Sequence, residues 1–137
     1  MQTNDIFREI EDFSHMVVAT SMADRPEAAT VGFSYDKDRN EIYFGSELHT
    51  RKMRNIQHNN QIALVFSTSQ LGIQIEGEAG VADGEAVGRI KALHVKRNPF
   101  AAQYADLPDQ RYVIIKPRWA RFTDYREGEL VQEVEWE

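Results

Sequence analysis

The chain has no cysteine among its 137 residues. This absence excludes disulfide bonds, a thiolate metal site and a cysteine nucleophile. Also absent are the Gly-x-Ser-x-Gly elbow of serine hydrolases and the Gly-x-x-x-x-Gly-Lys and Gly-x-Gly-x-x-Gly phosphate loops. No apolar run approaches the roughly 20 residues of a membrane-spanning helix. The polar, acidic N-terminal stretch lacks the apolar core of a secretory signal. We therefore expect a cytoplasmic protein with no membrane segment.

An excess of basic residues is absent too. The chain has 22 Asp+Glu against 16 Lys+Arg, a net charge of -6 and a pI of about 5.2. Proteins that bind nucleic acid favour a broad basic face, so nucleic acid is not an expected partner. The four histidines show no metal-ligand spacing, and no metal site is predicted. With this length and 42% hydrophobic residues, we expect a single domain over residues 1–137.

Acidic residues are missing from one long window, residues 48–75. Arg51, Lys52 and Arg54 lie in this window without a neighbouring acid. Arg51 and Lys52 open a predicted helix with Thr50 as N-cap, although cations at a helix N-terminus cost about 0.3–1 kcal/mol each. An anion bound by free N–H groups, the Thr50 hydroxyl and both cations would explain this placement. The pattern indicates either a phosphate site or an ordinary solvated helix start, with Arg54 at the surface or paired with an acid across a dimer.

Hydrophobic periodicity predicts a mainly β protein. Predicted strands occupy residues 16–20, 28–35, 41–44, 61–67, 72–82, 111–116 and 119–124, and predicted helices residues 5–13, 50–59 and 83–97. The strands are mostly joined by hairpins and do not alternate one-for-one with helices, which favours a small antiparallel barrel. The cations of the last helix indicate either a solvated face or a face that closes over an anionic substrate. The acidic tail from Arg126 is expected to pack weakly.

The order of three segments resembles the pyridoxamine 5'-phosphate oxidase-like family of FMN-binding split barrels. These segments are VVATSMADRPEAATVGFSYD, IYFGSELHTRKMRNIQHNNQIALVF and GIQIEGEAGVAD. The second is the most specific, because Thr50-Arg51-Lys52 is followed by Asn55-Ile56 and by a polar turn before an apolar strand. The likeness covers roughly residues 10–125.

The resemblance implies a six-stranded antiparallel Greek-key split β-barrel with short inserted and flanking helices. It also implies a homodimer with FMN at the subunit interface, for which Phe33, Tyr35 and Trp119 offer apolar surface. Thr50, Arg51 and Lys52 would hold the FMN phosphate. The remaining residues that the resemblance assigns to the flavin ring and ribityl chain are Glu27, Ala28, Ala29, Thr30, Gly45, Ser46 and Trp119.

Two departures from the family pattern limit the functional prediction. Gly72 stands where a flavin-contacting Gln is common, with Gln70 and Gln74 nearby as substitutes. The Arg-rich C-terminal block of true pyridoxamine-phosphate oxidases is missing. We therefore predict an FMN-dependent oxidoreductase acting on an unidentified small molecule, with no assigned catalytic residue and with residues 100–110 as a gating segment. The alternatives are a non-catalytic FMN storage or sensing protein, or the same fold binding a deazaflavin or haem.

Overall fold

The computed structural model describes all residues from Met1 to Glu137. Its helices are α1 (Asp5–Ile10), α2 (Arg51–His58) and α3 (Glu85–Arg97), followed by a 3-10 helix at Pro99–Gln103. Eight strands make up the rest of the regular structure: β1 (His15–Met22), β2 (Arg25–Gly32), β3 (Ser34–Asp36), β4 (Glu41–Glu47), β5 (Gln61–Ser67), β6 (Leu71–Val81), β7 (Gln110–Asp124) and β8 (Leu130–Glu135).

All strands belong to one antiparallel sheet in the order β2-β1-β5-β6-β7-β4-β3. The long strand β7 pairs β6 along one edge, and on its other edge it pairs first β4 and then β8. A bulge between Glu76 and Gly77 interrupts the β6–β7 ladder, and bulges bend a strand and increase its twist. A Cβ at Gly77 would lie 2.4 Å from the Lys116 carbonyl oxygen, so only glycine allows this approach. The sheet curls into a half-barrel, which confirms the predicted fold class.

The eight strands differ from the seven predicted by periodicity and from the six of the family barrel. The predicted strands 111–116 and 119–124 are one continuous strand, β7, while two other segments each add a strand. The predicted strand at 28–35 is divided between β2 and β3, and the residue at the break, Phe33, is wholly buried. The tail after Arg126 was expected to pack weakly, but it forms β8 and buries Val134. The β2 strand also begins earlier than predicted, at Arg25, because Ala23 and Asp24 make the turn with φ of 50° and 63°. Pro26 is tolerated in β2 because this is an edge strand.

The core fills the concave side of the sheet. It contains Phe33 and Phe66, whose rings meet edge-on at 4.9 Å between centroids. Phe33 is therefore a core residue, and the expectation that it supplies dimer surface is wrong. Two of the predicted solvated cations on α3 are also structural. The Arg97 guanidinium lies 4.5 Å from the Phe33 ring centroid and donates to the Phe13 carbonyl, while Arg89 donates to the Tyr43 hydroxyl.

Candidate functional site

The N-terminus of α2 presents free hydrogen-bond donors. Thr50 precedes the helix in an extended conformation, but its hydroxyl does not cap a helix N–H group. Instead Thr50 Oγ1 donates to the Glu47 carbonyl at 3.0 Å and lies 2.9 Å from Ser46 Oγ. The backbone N–H groups of Arg51, Lys52 and Met53 consequently have no acceptor within the protein. The helix start can therefore donate to an anion.

Buried contacts fix α2 against the sheet. Met53 and Ile56 pack into the core. Asn55 is also buried, and its Nδ2 donates to Thr20 Oγ1 on β1 at 3.0 Å. A buried hydrogen bond of this kind sets both the depth and the rotation of the helix. The first turn of α2 is thus held in a defined position beside the start of β2.

A cavity of about 260 Å³ lies between the first turns of α2 and the start of β2. We call it the arginine cavity because Arg25, Arg51 and Arg54 all line it, together with Met22, Pro26, Glu27 and Asn55. Arg54 is exposed, in agreement with the expected surface position, and it also belongs to this cluster. Arg25 was not among the predicted site residues. Only the hairpin register, which places Arg25 opposite Met22, brings it to α2.

Glu27 is the one acid of the arginine cavity. Its Oε2 atom lies 3.7 Å from Arg51 Nε, too far for a hydrogen bond, and it is buried without any hydrogen-bond partner. A buried carboxylate oxygen without a donor is costly. Glu27 therefore offers an acceptor to whatever enters the cavity.

A larger cavity of about 500 Å³ lies at the other end of β2. We call it the histidine cavity, because His15 and His94 both line it. Its lining also includes Thr30, Gly32, Gly45, Asn98, Phe100, Tyr104 and Gln110. Two predicted site residues, Thr30 and Gly45, thus meet at one cavity. A Cβ at Gly45 would lie 2.7 Å from Gln110 Nε2, so a larger residue would displace that side chain.

The other predicted residues are placed as follows. Ala28 is exposed on the convex face of the sheet, whereas Ala29 points to the core. Ser46 is buried against Thr50, and Lys52 is half-buried but does not line the arginine cavity. Trp119 lies on β7 opposite Glu76 of β6 and is half-buried. Within one chain it lines neither the arginine cavity nor the histidine cavity.

The residues near the missing family Gln do not replace it within one chain. Gly72 lies opposite Ser67 and Thr123, and a Cβ there would meet no atom within 4 Å. Gln70 and Gln74 are exposed and line neither cavity. The position therefore has room for a side chain, and the glycine is not a packing requirement.

His94 is buried in a specific environment. It is 5% exposed, and its Nδ1 lies 2.8 Å from Ser34 Oγ. Burial lowers the pKa of the imidazole to about 4, so it is neutral at pH 7. A histidine on the apolar side of a predicted helix is the sequence signal, but the link to Ser34 requires the fold.

The family model for pyridoxamine 5'-phosphate oxidase matches residues 3–124 of the chain. The chain belongs to this family. Membership in the pyridoxamine 5'-phosphate oxidase family confirms the resemblance stated above. Among curated proteins, none matches the chain in sequence.

Solved structures share the fold at low identity. A haem-binding protein from Mycobacterium smegmatis has a TM-score of 0.81 and 15% identity, over 97% of this chain and 57% of that one. The chain thus spans little more than half of that protein. General Stress Protein 26 from Bacillus anthracis has a TM-score of 0.79 and 15% identity, over 98% of each chain. HutZ, the haem storage protein of Vibrio cholerae, has a TM-score of 0.71 and 17% identity, over 86% of this chain and 92% of that one.

These likenesses establish the architecture and not the ligand. None of the helices combines the length and the hydrophobicity that crossing a membrane requires. The two cavities and their side chains therefore carry the functional argument.

Proposed function

We propose that the chain binds FMN, with the phosphate in the arginine cavity and the ring at the histidine cavity. The observation that carries this proposal is the arginine cavity itself, in which three arginines and one unpartnered carboxylate oxygen line the same space. A flavin nucleotide has both groups that this space requires: a phosphate for the arginines and hydroxyl donors for the carboxylate.

The phosphate end is supported by charge and by hydrogen-bond donors. Arg25, Arg51 and Arg54 outnumber Glu27 around the cavity, so its local charge is positive in an otherwise acidic protein. The unpaired N–H groups at the start of α2 add donors and the positive end of the helix dipole. Lys52 in the same turn strengthens the field. Guanidinium–phosphate hydrogen bonds are among the stronger ones in proteins.

Glu27 favours a ligand that also carries hydroxyl groups. Its buried Oε2 needs a donor, and the hydroxyls of a ribityl chain are donors. Haem has no hydroxyl group to donate to Glu27 Oε2, although its two carboxylates could pair with the arginines as a phosphate does. A deazaflavin with a ribityl phosphate would make the same contacts as FMN. The residues of the arginine cavity therefore favour a phosphorylated ribityl tail and do not distinguish the two rings.

The edge strand β2 joins the two cavities. Glu27 and Thr30 are three residues apart on it, which corresponds to about 10 Å of extended chain. A ligand whose phosphate lies at Arg51 can therefore place its other end at Thr30 and Gly45. The histidine cavity, at about 500 Å³, has the size of a cofactor or substrate site.

The convex face of the sheet supports the proposed homodimer. Val17 lies opposite Val65, and both are more than a third exposed, while Ala19 lies opposite Ala63 beside them. The exposed Ala28 continues this flat patch onto β2. We assign the patch to a second copy of the chain, whose Trp119 would then be free to approach the flavin from across the interface.

Bound FMN would supply hydride or electron transfer at its ring. The chain would hold the tail of the cofactor, orient its ring and shape the space above it for a small-molecule substrate. No side chain in either cavity is needed as an acid or base, and a storage or sensing protein would use the same tail contacts. The chain is therefore a flavin-dependent oxidoreductase in our first proposal and an FMN store in the second.

Haem is a second candidate because of one observation. His15 and His94 line the same cavity, and histidine is a common axial ligand of haem iron. Two of the similar structures are a haem-binding protein and a haem storage protein. The Ser34 bond occupies His94 Nδ1, so a contact between His94 Nε2 and iron would require Nδ1 to carry the proton and Ser34 Oγ to accept it.

A titration of the full-length protein with FMN and, separately, with haemin distinguishes these proposals. We expect quenched flavin fluorescence and a saturable yellow complex with FMN, and no sharp Soret band with haemin. Bleaching of the complex by NADPH or NADH would support the oxidoreductase over the store. A haemin complex with no FMN binding would overturn the flavin proposal.

A further inference from the structure

His94 forms a buried pair with Ser34 at the wall of the histidine cavity. Ser34 on β3 has 0% exposure, and its Oγ lies 2.8 Å from His94 Nδ1. The other side of the imidazole meets the Tyr112 ring edge-on, with 5.8 Å between centroids. These contacts hold the ring plane of His94 in one orientation.

The contacts of Ser34 and His94 indicate where the hydroxyl proton and the imidazole proton of this pair lie. Ser34 Oγ has no other hydrogen-bond partner, so donation to His94 Nδ1 is the arrangement that leaves no buried proton of this pair without an acceptor. If Ser34 accepted instead, its own O–H would be buried and unpaired, at a cost of about 1–3 kcal/mol. An Nδ1 that accepts leaves the proton of the neutral imidazole on Nε2.

The Nε2–H group of His94 is available to a ligand in the histidine cavity. Nε2 has no hydrogen-bond partner in the protein. The buried side-chain atoms that lack a partner belong to Glu27 and Asn40 only, so Nε2 is not enclosed. Since His94 lines the cavity, the accessible Nε2 donates into it. The neighbouring Asn98 amide is already used, because it donates to the Phe33 and His94 carbonyls.

The other residues that line the histidine cavity favour a neutral ligand with an apolar face. The lining contains no Asp, Glu, Lys or Arg side chain, although 28% of the chain is charged. Phe100 and Tyr104 follow α3 and stand 75% and 39% exposed, with their rings 5.9 Å apart. Exposed aromatic rings at a cavity provide area for stacking on a planar ligand.

We propose that the histidine cavity binds a neutral planar carbonyl compound, of the quinone or enone class, whose oxygen accepts from His94 Nε2–H. Phe100 and Tyr104 cover its ring. Its role as the substrate that lies beside the flavin rests on the proposed function, whereas its binding depends only on this chain. Ser34 is a positioning residue, because it acts through His94.

The tautomer is tested by nitrogen-15 NMR of the full-length protein at pH 7. We expect the His94 signals of a neutral ring protonated at Nε2, and a mixture of tautomers in Ser34→Ala. A wild-type ring protonated at Nδ1 would overturn the proposal, because Nε2 would then be an acceptor.

Ligand binding is tested with menadione, a naphthoquinone that forms no thiol adducts here because the chain has no cysteine. We expect saturable binding that weakens about tenfold in Ser34→Ala/His94→Leu, which removes both members of the buried pair. His94→Gln, which keeps a side-chain N–H donor, should retain most of the affinity. The carbonyl stretching band of bound menadione should shift to lower frequency in the wild type and not in the double variant. No menadione binding, or binding unchanged in the double variant, would overturn the proposal.

FMN affinity measured on the same samples separates this inference from the proposed function. Normal FMN binding without menadione binding would refute the carbonyl site alone. Menadione binding without FMN binding would refute the flavin proposal and leave the carbonyl site in place.

Discussion

Arg51 Nε lies 3.7 Å from Glu27 Oε2 and thereby connects the first residue of α2 to the edge strand β2. The pair adds little to stability, because the Arg51 side chain is 73% exposed. It also leaves the buried carboxylate oxygen without a hydrogen bond. Both residues are thus available to a ligand in the arginine cavity.

Loss of the cations at the start of α2 should weaken FMN binding. Charge-assisted hydrogen bonds contribute about 1.5–3 kcal/mol each. The loss of even one such bond in Arg51→Ala/Lys52→Ala should raise the Kd of FMN by about tenfold or more. The matched control is Lys96→Ala/Arg118→Ala, which removes two exposed cations away from the cavity. Equal FMN affinity in the two double variants, measured by fluorescence titration, would show that the phosphate lies elsewhere.

Glu27→Ala should weaken ligand binding without lowering the stability of the fold. The variant removes a buried oxygen that has no donor, so the free energy of unfolding in urea should stay within about 0.5 kcal/mol or rise. Riboflavin, which has the ribityl chain but no phosphate, should bind about tenfold more weakly. Glu129→Ala, at an exposed loop position, is the control for both measurements. An unchanged riboflavin affinity would remove Glu27 from the ribityl contact.

Two phenylalanines should differ sharply in their effect on stability. Phe33 has 0% exposure in the core, so Phe33→Ala should lower the free energy of unfolding by about 3–5 kcal/mol. Phe100 is 75% exposed, so Phe100→Ala should change it by less than about 0.5 kcal/mol. Urea unfolding of both variants gives the comparison. Similar losses would mean that the 3-10 helix is part of the core.

Acid should destabilise the fold through His94. The native pKa is about 4, whereas the ordinary value is 6.5, so the unfolded chain binds more protons between these two pH values. Stability therefore falls as the pH drops from about 6.5 to about 4, by on the order of 3 kcal/mol in total from this group. Tyr112, which contacts the ring, has a pKa raised by burial and stays neutral throughout.

The His94 contribution is read as the difference between the wild type and His94→Gln. Both proteins share the titration of their carboxylates, so only the wild type should show the additional loss between pH 6.5 and pH 4. Parallel curves of unfolding free energy against pH would mean that His94 is protonated as readily in the native protein as in the unfolded chain.

A charge on the convex face should disrupt the proposed dimer. Val65 is 36% exposed within the apolar patch, so Val65→Lys should shift sedimentation from dimer to monomer and weaken FMN binding with it. Val81 is equally exposed but lies near the far end of β6, so Val81→Lys is the matched control. A wild-type protein that sediments as a monomer would contradict the interface.

Local sequence patterns were sufficient for much of the fold. The alternation along Ile73, Ile75 and Ala79 identified the buried side of β6, and Met53 and Ile56 identified the inner side of α2. The pattern did not reveal the break at Phe33 or the strand β8. The break at Phe33 depends on a core contact distant in sequence, because its ring packs edge-on against Phe66, and β8 depends on its pairing with β7, where Val134 lies opposite Ala120.

The candidate site was less predictable for the same reason. Arg51 was identified from its position at the start of a helix, which is a local signal. Arg25 joins it only through the hairpin register, and His94 acquires Ser34 only through the packing of α3 on β3. The hydroxyl of Thr50 could not be assigned from the sequence either, because its acceptor is the Glu47 carbonyl in the folded loop.

The affinity of the wild-type protein for FMN relative to riboflavin tests the central claim most directly. The two ligands differ only in the phosphate that we assign to Arg25, Arg51 and Arg54. We predict that FMN binds more tightly by tenfold or more, as the loss of one charge-assisted hydrogen bond of about 1.5–3 kcal/mol requires. Equal affinities, or no binding of either flavin, would contradict the assignment of this cavity to a flavin phosphate.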